Sequence, residues 1–393
     1  MSELDHPVID ADNHYYEALD AFTRHLDPVW AQRTVQWCDI DGRKYHVVGG
    51  RVSRAVTNPT FDPIARSGAM HDYFRGNPDG RDPLSFLTER EPIRPEYRDR
   101  DARIAVLDQQ GLEACWIFPT LGMIYEELLT GDPEANCVMF RAFNRWVEED
   151  WGFSYRNRIF AAPYITLADP DWAVVELEWA LDAGARLIVT RPAAPTTVLG
   201  RCSPFDDRYA TFWELLDESG VPLVLHAGDG GVSSNGYAPD GFSAAFSDGF
   251  KPSIKFFAIE QAVKDWLASM LLENHLARYP NLRIVSVENG AEFLPDLFRK
   301  VRSMARKMTG YFAEDPIELF RRQVWINPFW EDDVVEVVDL MGADRVVFGS
   351  DWPHIEGMPQ PLDYLPEVKE LPPADQRMVL HDNALDLITA RPA

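Results

Sequence analysis

Residues able to hold a metal or move a proton stand where apolar stretches of this chain end. The clearest case is Val346–Gly357, read as Val346-Val347-Phe348-Gly349-Ser350-Asp351-Trp352-Pro353-His354-Ile355-Glu356-Gly357. A short apolar strand runs into a turn carrying Asp351, His354 and Glu356. Burying an ionised Asp costs several kcal/mol unless a cation or hydrogen-bond donors compensate, and a bound metal is one such compensation. Near the start, Val8-Ile9-Asp10-Ala11-Asp12-Asn13-His14 leads into Asp12-x-His14, with Glu17 three residues later. Residues i and i+2 of a strand point the same way, so Asp12 and His14 can face one ion. Taken alone, this pair reads better as a helix-capping Asp and a surface His before the helix-like Ala18–His25. Further apolar stretches end at Arg191, His226, Glu288 and Asn327.

The elements that must position these residues alternate. Strand candidates are Val8–His14, Ala114–Pro119, Ile159–Ile165, Arg186–Thr190, Pro222–Gly228, Leu282–Val287, Gln323–Asn327 and Arg345–Gly349. Helical patterns separate them, among them Asp99–Gln110, Pro133–Trp151, Arg208–Ser219, Phe257–Asn274, Ala291–Met308 and Asp332–Met341. Alternation of this kind implies a parallel sheet with crossover helices. Eight units suggest a distorted (β/α)8 TIM barrel, whose strands all end on the face where active sites lie. There Asp12, His14, Arg191, His226, Glu288, Asn327 and Asp351 would converge, a mixture of imidazole and carboxylate suited to Zn²⁺, Mn²⁺ or Fe²⁺. Residues 27–100 are rich in Pro, Gly, Arg and Asp and read as a long insertion after the first strand. Within it, Asp41-Gly42 marks a hairpin turn. That insertion and the Asp229–Gly249 loop are expected to form a lid. Trp325, Phe329 and Trp330 offer either a wall for a flat substrate or ordinary core.

Composition bounds the partners. The chain has 393 residues and a net charge of −25, with 38 basic and 63 acidic side chains. This argues against nucleic acid and anionic membrane. No apolar run approaches membrane-helix length and no signal peptide is visible at the N-terminus, so a cytoplasmic protein of one domain, 1–393, is expected. Cys38, Cys115, Cys137 and Cys202 show no C-x-x-C pairing and are expected to be reduced core residues.

With these residues in view, the chain resembles the amidohydrolase-2 branch of the amidohydrolase superfamily, which includes aminocarboxymuconate-semialdehyde decarboxylase and related aromatic-acid decarboxylases. The resemblance rests on Ile9–His14, Leu225-His226-Ala227, Tyr279–Ile284, Glu288-Asn289-Gly290-Ala291 and Gly349–Pro353. It implies a distorted (β/α)8 barrel, often homodimeric, with one divalent metal, usually zinc. The implied ligands are Asp12, His14, His226 and Asp351. Asp12 departs from the family, which has His there; a carboxylate shifts preference towards Mn²⁺ or Mg²⁺, or marks a branch that has lost its metal. Glu288 also stands where the family has a His, and reads as a general base or as a direct ligand. Arg299 resembles a position that contacts substrate carboxylate, or is a solvated helix residue.

The expected function is therefore metal-dependent decarboxylation or hydrolysis of a small, carboxylated or carbonyl-bearing, aromatic or ring-derived metabolite. The metal would polarise a substrate oxygen. Glu288, Asp351 and His354 would move protons, and Arg191, Arg299 and Asn327 would bind substrate. The rival is a metal-free barrel that hydrolyses a lactone or only binds an acidic metabolite.

Overall fold

The computed structural model describes residues 4–56, 58–232, 234, 236, 254–329 and 332–389. Seven short parallel strands carry the architecture: β1 (Ile9–His14), β2 (Ala114–Phe118), β3 (Ile159–Ala161), β4 (Ile188–Thr190), β5 (Leu223–His226), β6 (Ile284–Val287) and β7 (Val324–Ile326). All are buried along their whole length, as expected for strands covered on both faces. They form two parallel sheets, ordered β1-β2-β3 and β7-β6-β5-β4. A parallel bridge from Tyr164 to Val189 links β3 to β4.

Beyond β7, Arg345–Gly349 was expected to supply an eighth strand, and the segment Val346–Trp352 occupies that place. It makes isolated parallel bridges instead of a continuous ladder, Val346 to Ile326 and Trp352 to Asn13. Its backbone hydrogen bonds alternate between neighbours: Val347 N donates to Ile326 O at 2.9 Å, and Ala11 N donates to Phe348 O at 2.9 Å. Past Phe348 the regular pattern ends: Ser350 N and Asp351 N both donate to Asp12 O, at 3.2 and 2.8 Å, and Asp351 turns at φ +55°.

Helix boundaries follow local chemistry. Asp99, Asp132, Asp169, Asp315 and Asp333 each cap a helix by accepting a backbone N–H, satisfying groups that the first turn leaves unpaired. Gly111 ends Arg100–Gln110 at φ +74°, a left-handed stop that glycine adopts without strain. The expected hairpin is present: Val35–Ile40 pairs antiparallel with Arg43–Val48 around Asp41-Gly42.

The 27–100 stretch also holds short helices at His71–Phe74 and Pro83–Thr88, and a small pairing of Ile64–Ala65 with Arg90–Glu91. It packs on the turn after Asp351: Gly68 N donates to His354 O and Met70 N to Ile355 O, both at 2.9 Å. Most of the Asp229–Gly249 loop, and Trp330, lie outside the described residues.

Away from the strand ends, His275 is buried among Phe205, Trp213 and Tyr279, with ring centroids 4.6–4.7 Å apart. Burial and Arg278 push it down to about 3. The unfolded chain then binds a proton near pH 6.5 that the folded chain refuses. Stability is therefore full above pH 6.5 and falls as pH drops towards 3. His275→Phe is expected to remove up to about 3 kcal/mol of the stability lost between pH 6.5 and 4.5, seen as a flatter profile of Tm against pH.

Candidate metal centre

Four elements bring the ligand-type side chains together. From β1, Asp12 and His14 point to one side, as their spacing requires. His226 ends β5, Glu288 follows β6, and Asp351 follows Phe348. His14 Nε2 lies 3.4 Å from Asp12 Oδ1, 3.6 Å from Glu288 Oε2 and 3.4 Å from Asp351 Oδ1. His226 Nε2 lies 3.5 Å from Asp12 Oδ1 and 3.3 Å from Glu288 Oε2. Donor atoms of Asp12, His14, His226 and Glu288 all fall within 4.8 Å of one another, as do those of His14, Glu288, Asp351 and His354.

These atoms fit a cation. Asp12 Oδ1 and Oδ2, His14 Nε2, His226 Nε2 and Asp351 Oδ2 are buried and have no hydrogen-bond partner among the described residues. Buried polar groups are normally paired, so a cluster of converging orphans needs a ligand. His226 Nδ1 lies 2.8 Å from Ala227 O; donating there fixes the tautomer and leaves the Nε2 lone pair facing the cluster. The electrostatics agree. Burial alone would lower His14, but Asp12 and Glu288 outweigh it and raise it to about 9. Burial raises Asp351 well above the carboxylate range, reinforced by Glu288, Glu356 and Asp12. Without a cation, protons must supply the positive charge this site calls for.

His354 lies beside this set. Its Nδ1 is 2.6 Å from Asp351 Oδ1 and its Nε2 is 2.9 Å from Thr120 Oγ1. The Thr120 hydroxyl donates to Tyr15 O at 2.9 Å, so it accepts from Nε2–H. The short Nδ1 contact then requires one proton shared between His354 and Asp351.

The surrounding structure fixes these positions. Asp10 sits beneath the site and accepts from Ser350 N (3.0 Å), Ser350 Oγ (2.5 Å), Asn13 Nδ2 (2.9 Å) and Asp12 N (3.1 Å), stapling β1 to the Asp351 turn. Buried Arg103 donates to His14 O at 2.7 Å and to Asn13 Oδ1 at 2.5 Å. Glu17 accepts from Leu121 N (2.7 Å) and Gly122 N (3.1 Å) beside Thr120. Glu288 and Asp351 both adopt left-handed backbone, at φ +59° and +55°. Such non-glycine conformations are strained and cluster at functional sites.

Gly349 is required by close approach: a Cβ there would lie 2.3 Å from Asp12 Cβ and 2.8 Å from Asn327 Nδ2. Gly349→Ala is expected to displace Asp12 and destabilise the protein by roughly 1–3 kcal/mol, measured as a lower Tm together with weaker metal retention.

Asp12, His14, His226, Glu288, Asp351 and His354 are thus brought together. Three expected substrate contacts are placed differently. Asn327 reaches the site as a clip: its Oδ1 accepts from Glu288 N at 3.3 Å and its Nδ2 donates to Val347 O at 3.2 Å. Arg191 ends β4 as expected, but its guanidinium is buried against Glu126 (3.1 Å), Glu127 (2.5 Å) and Asp229 O (2.5 Å). Two carboxylates already answer its charge.

Arg299 lies on the outer face of helix Phe293–Lys307, 75% exposed and paired with Asp296, so it is not brought to the cluster. Arg299→Ala is expected to leave turnover within about twofold, since exposed ion pairs contribute little. Asp10, Arg103 and Thr120 were not singled out from sequence. Only Arg103 left a signal: it stands four residues before buried Leu107, on the inward stripe of its helix.

Among the described residues no helix is long and apolar enough to cross a membrane. The chain matches the amidohydrolase family over residues 9–388. No curated protein sequence matches it. An amidohydrolase of Mycobacterium avium subsp. paratuberculosis is 41% identical, with a TM-score of 0.91 over 98% of this chain and 100% of that one. A 5-carboxyvanillate decarboxylase of Sphingomonas paucimobilis is 17% identical, with a TM-score of 0.61 over 98% of this chain and 99% of that one. A dihydroxybenzoic acid decarboxylase of a Polaromonas species, solved with manganese and 2-nitroresorcinol, is 19% identical, with a TM-score of 0.58 over 81% and 93%.

Proposed function

The chain belongs to the amidohydrolase family, and from that premise we propose that it is a divalent-metal-dependent carboxy-lyase acting on a small aromatic carboxylate. The observation that carries this is the group of buried, unpartnered donor atoms on Asp12, His14, His226 and Asp351. These four residues would hold the ion, and a metal-free binding protein gives no reason for burying them so. Two carboxylates beside two imidazoles make a harder donor set than imidazoles alone, which favours Mn²⁺ over Zn²⁺. When bound, the ion supplies Lewis-acid polarisation of a substrate oxygen. The decarboxylases of similar fold support the reaction class. The reading includes a closed (β/α)8 barrel, supported by the bridges that join Val346–Trp352 to β7 and β1 and Tyr164 to β4. It also includes the 27–100 stretch as a cover, supported by its hydrogen bonds to the His354 turn.

The protein's own groups then have definite tasks. Loss of CO₂ from an aromatic acid leaves a ring carbon that must take up a proton. The proton shared by Asp351 Oδ1 and His354 Nδ1 is held inside the site, and Thr120 fixes the ring that holds it. Glu288 is the most exposed member of the cluster, at 19%. The reaction is tested by incubating the Mn²⁺-loaded protein with hydroxylated benzoates. CO₂ release without solvent ¹⁸O in the aromatic product is expected. Incorporation of ¹⁸O would instead identify a hydrolase, and inactivity towards every carboxylated aromatic would reject this substrate class.

A further inference from the structure

The two candidate donor groups overlap, and the overlap is informative. Both contain His14 and Glu288, whereas Asp351 belongs only to the one that also contains His354. We infer that Glu288 is itself a ligand of the metal, which decides between the two readings, general base or direct ligand, that the sequence left open. The inference rests on the metal-dependent reading above and changes its ligand set.

The distances support it. Donor atoms that share one ion, each about 2.0–2.2 Å from it, lie roughly 3–3.5 Å from one another. Glu288 Oε2 is 3.3 Å from His226 Nε2 and 3.6 Å from His14 Nε2, and Asp12 Oδ1 is 3.5 Å and 3.4 Å from the same two atoms. The carboxylates of Glu288 and Asp12 thus take equivalent positions against the two imidazoles. Asp351 approaches His14 Nε2 equally closely, at 3.4 Å, but its Oδ1 is also engaged by His354 at 2.6 Å.

Unpartnered, buried Nε2 atoms of His14 and His226 face Glu288 from two strands. The backbone is arranged to keep it there. Glu288 adopts φ +59°, and Asn327 accepts its N–H while holding Val347 O. A carboxylate pinned between two imidazole lone pairs is placed to share their ion. Proton transfer then falls to Asp351 and His354, and the site carries three carboxylates against two imidazoles.

The test reads metal affinity, not turnover. Mn²⁺ and Zn²⁺ dissociation constants of the full chain would be measured by chelator competition for wild type, Glu288→Asn and Glu288→His, with circular dichroism confirming the fold. Asn tolerates the left-handed backbone but is neutral and one methylene shorter. Expected are a loss of at least about tenfold in Mn²⁺ affinity for Glu288→Asn and a shift of the Zn²⁺/Mn²⁺ preference towards Zn²⁺ for Glu288→His. Affinities and preference within twofold of wild type in both folded variants would overturn the inference and leave the metal-dependent reading intact. A wild-type protein that binds neither ion would overturn both.

Discussion

His226→Ala is expected to abolish stoichiometric metal binding and to lower turnover by on the order of 10³-fold or more, since second-sphere changes alone cost 10–100-fold. Of the two imidazoles named for the ion, His226 is the one whose Nδ1 is committed, to Ala227 O, which leaves its Nε2 lone pair free for a metal. Asp351→Ala should lose the metal as well. Asp351 is buried near Asp10, Asp12, Glu288 and Glu356, whose charges all raise it. Without an ion that carboxyl stays protonated, so the stabilisation that depends on it is the metal's: Mn²⁺ should raise the Tm of wild type and leave that of Asp351→Ala unchanged. Metal content by mass spectrometry and paired melting curves check both statements; retention of the ion in His226→Ala would defeat the assignment. The pH dependence follows from His14, which Asp12 and Glu288 hold protonated up to about 9 against burial. A metal must displace that proton, so affinity should weaken about tenfold for each pH unit below 9.

The second large effect is expected at His354. His354→Gln should reduce kcat by about 10²–10⁴-fold while the metal stays bound and KM changes little. His354 touches the cluster through Asp351 and is anchored on its far side by Thr120. Removing the ring deletes the proton store but none of the ligands named for the ion. The variant should also lose the limb of the kcat–pH profile that belongs to the Asp351–His354 pair. An unchanged kcat and profile would reduce His354 to a cap on its own turn.

Much of this site was legible in the chain. The i, i+2 spacing of Asp12 and His14 fixes a common direction because strand side chains alternate. Apolar runs ending at His226, Glu288 and Asp351 announced buried strands with polar ends. Helix limits were equally local: Asp99 and Gly111 bracket Arg100–Gln110 in sequence and in space. Misplacements came where position depends on distant partners. Arg191 reads as an anion receptor at a strand end, but Glu126 and Glu127 from another segment meet it first. Arg299 has the right residue type on a helix whose outer face it occupies.

The amino-acid sequence by itself determined the inventory: which residues can ligate, which strands carry them, and that a carboxylate stands at positions 12 and 288. Those are matters of residue type and short-range periodicity. Only the tertiary structure decided how they are shared out. Glu288 faces two imidazoles, Asp351 turns to His354, and Asn327 becomes a clip holding strand ends. Asp10 joins residues 340 positions away in the chain. Contacts across such separations depend on the register between strands, which no local pattern encodes, and a shift of one residue would turn every one of these side chains to the opposite face.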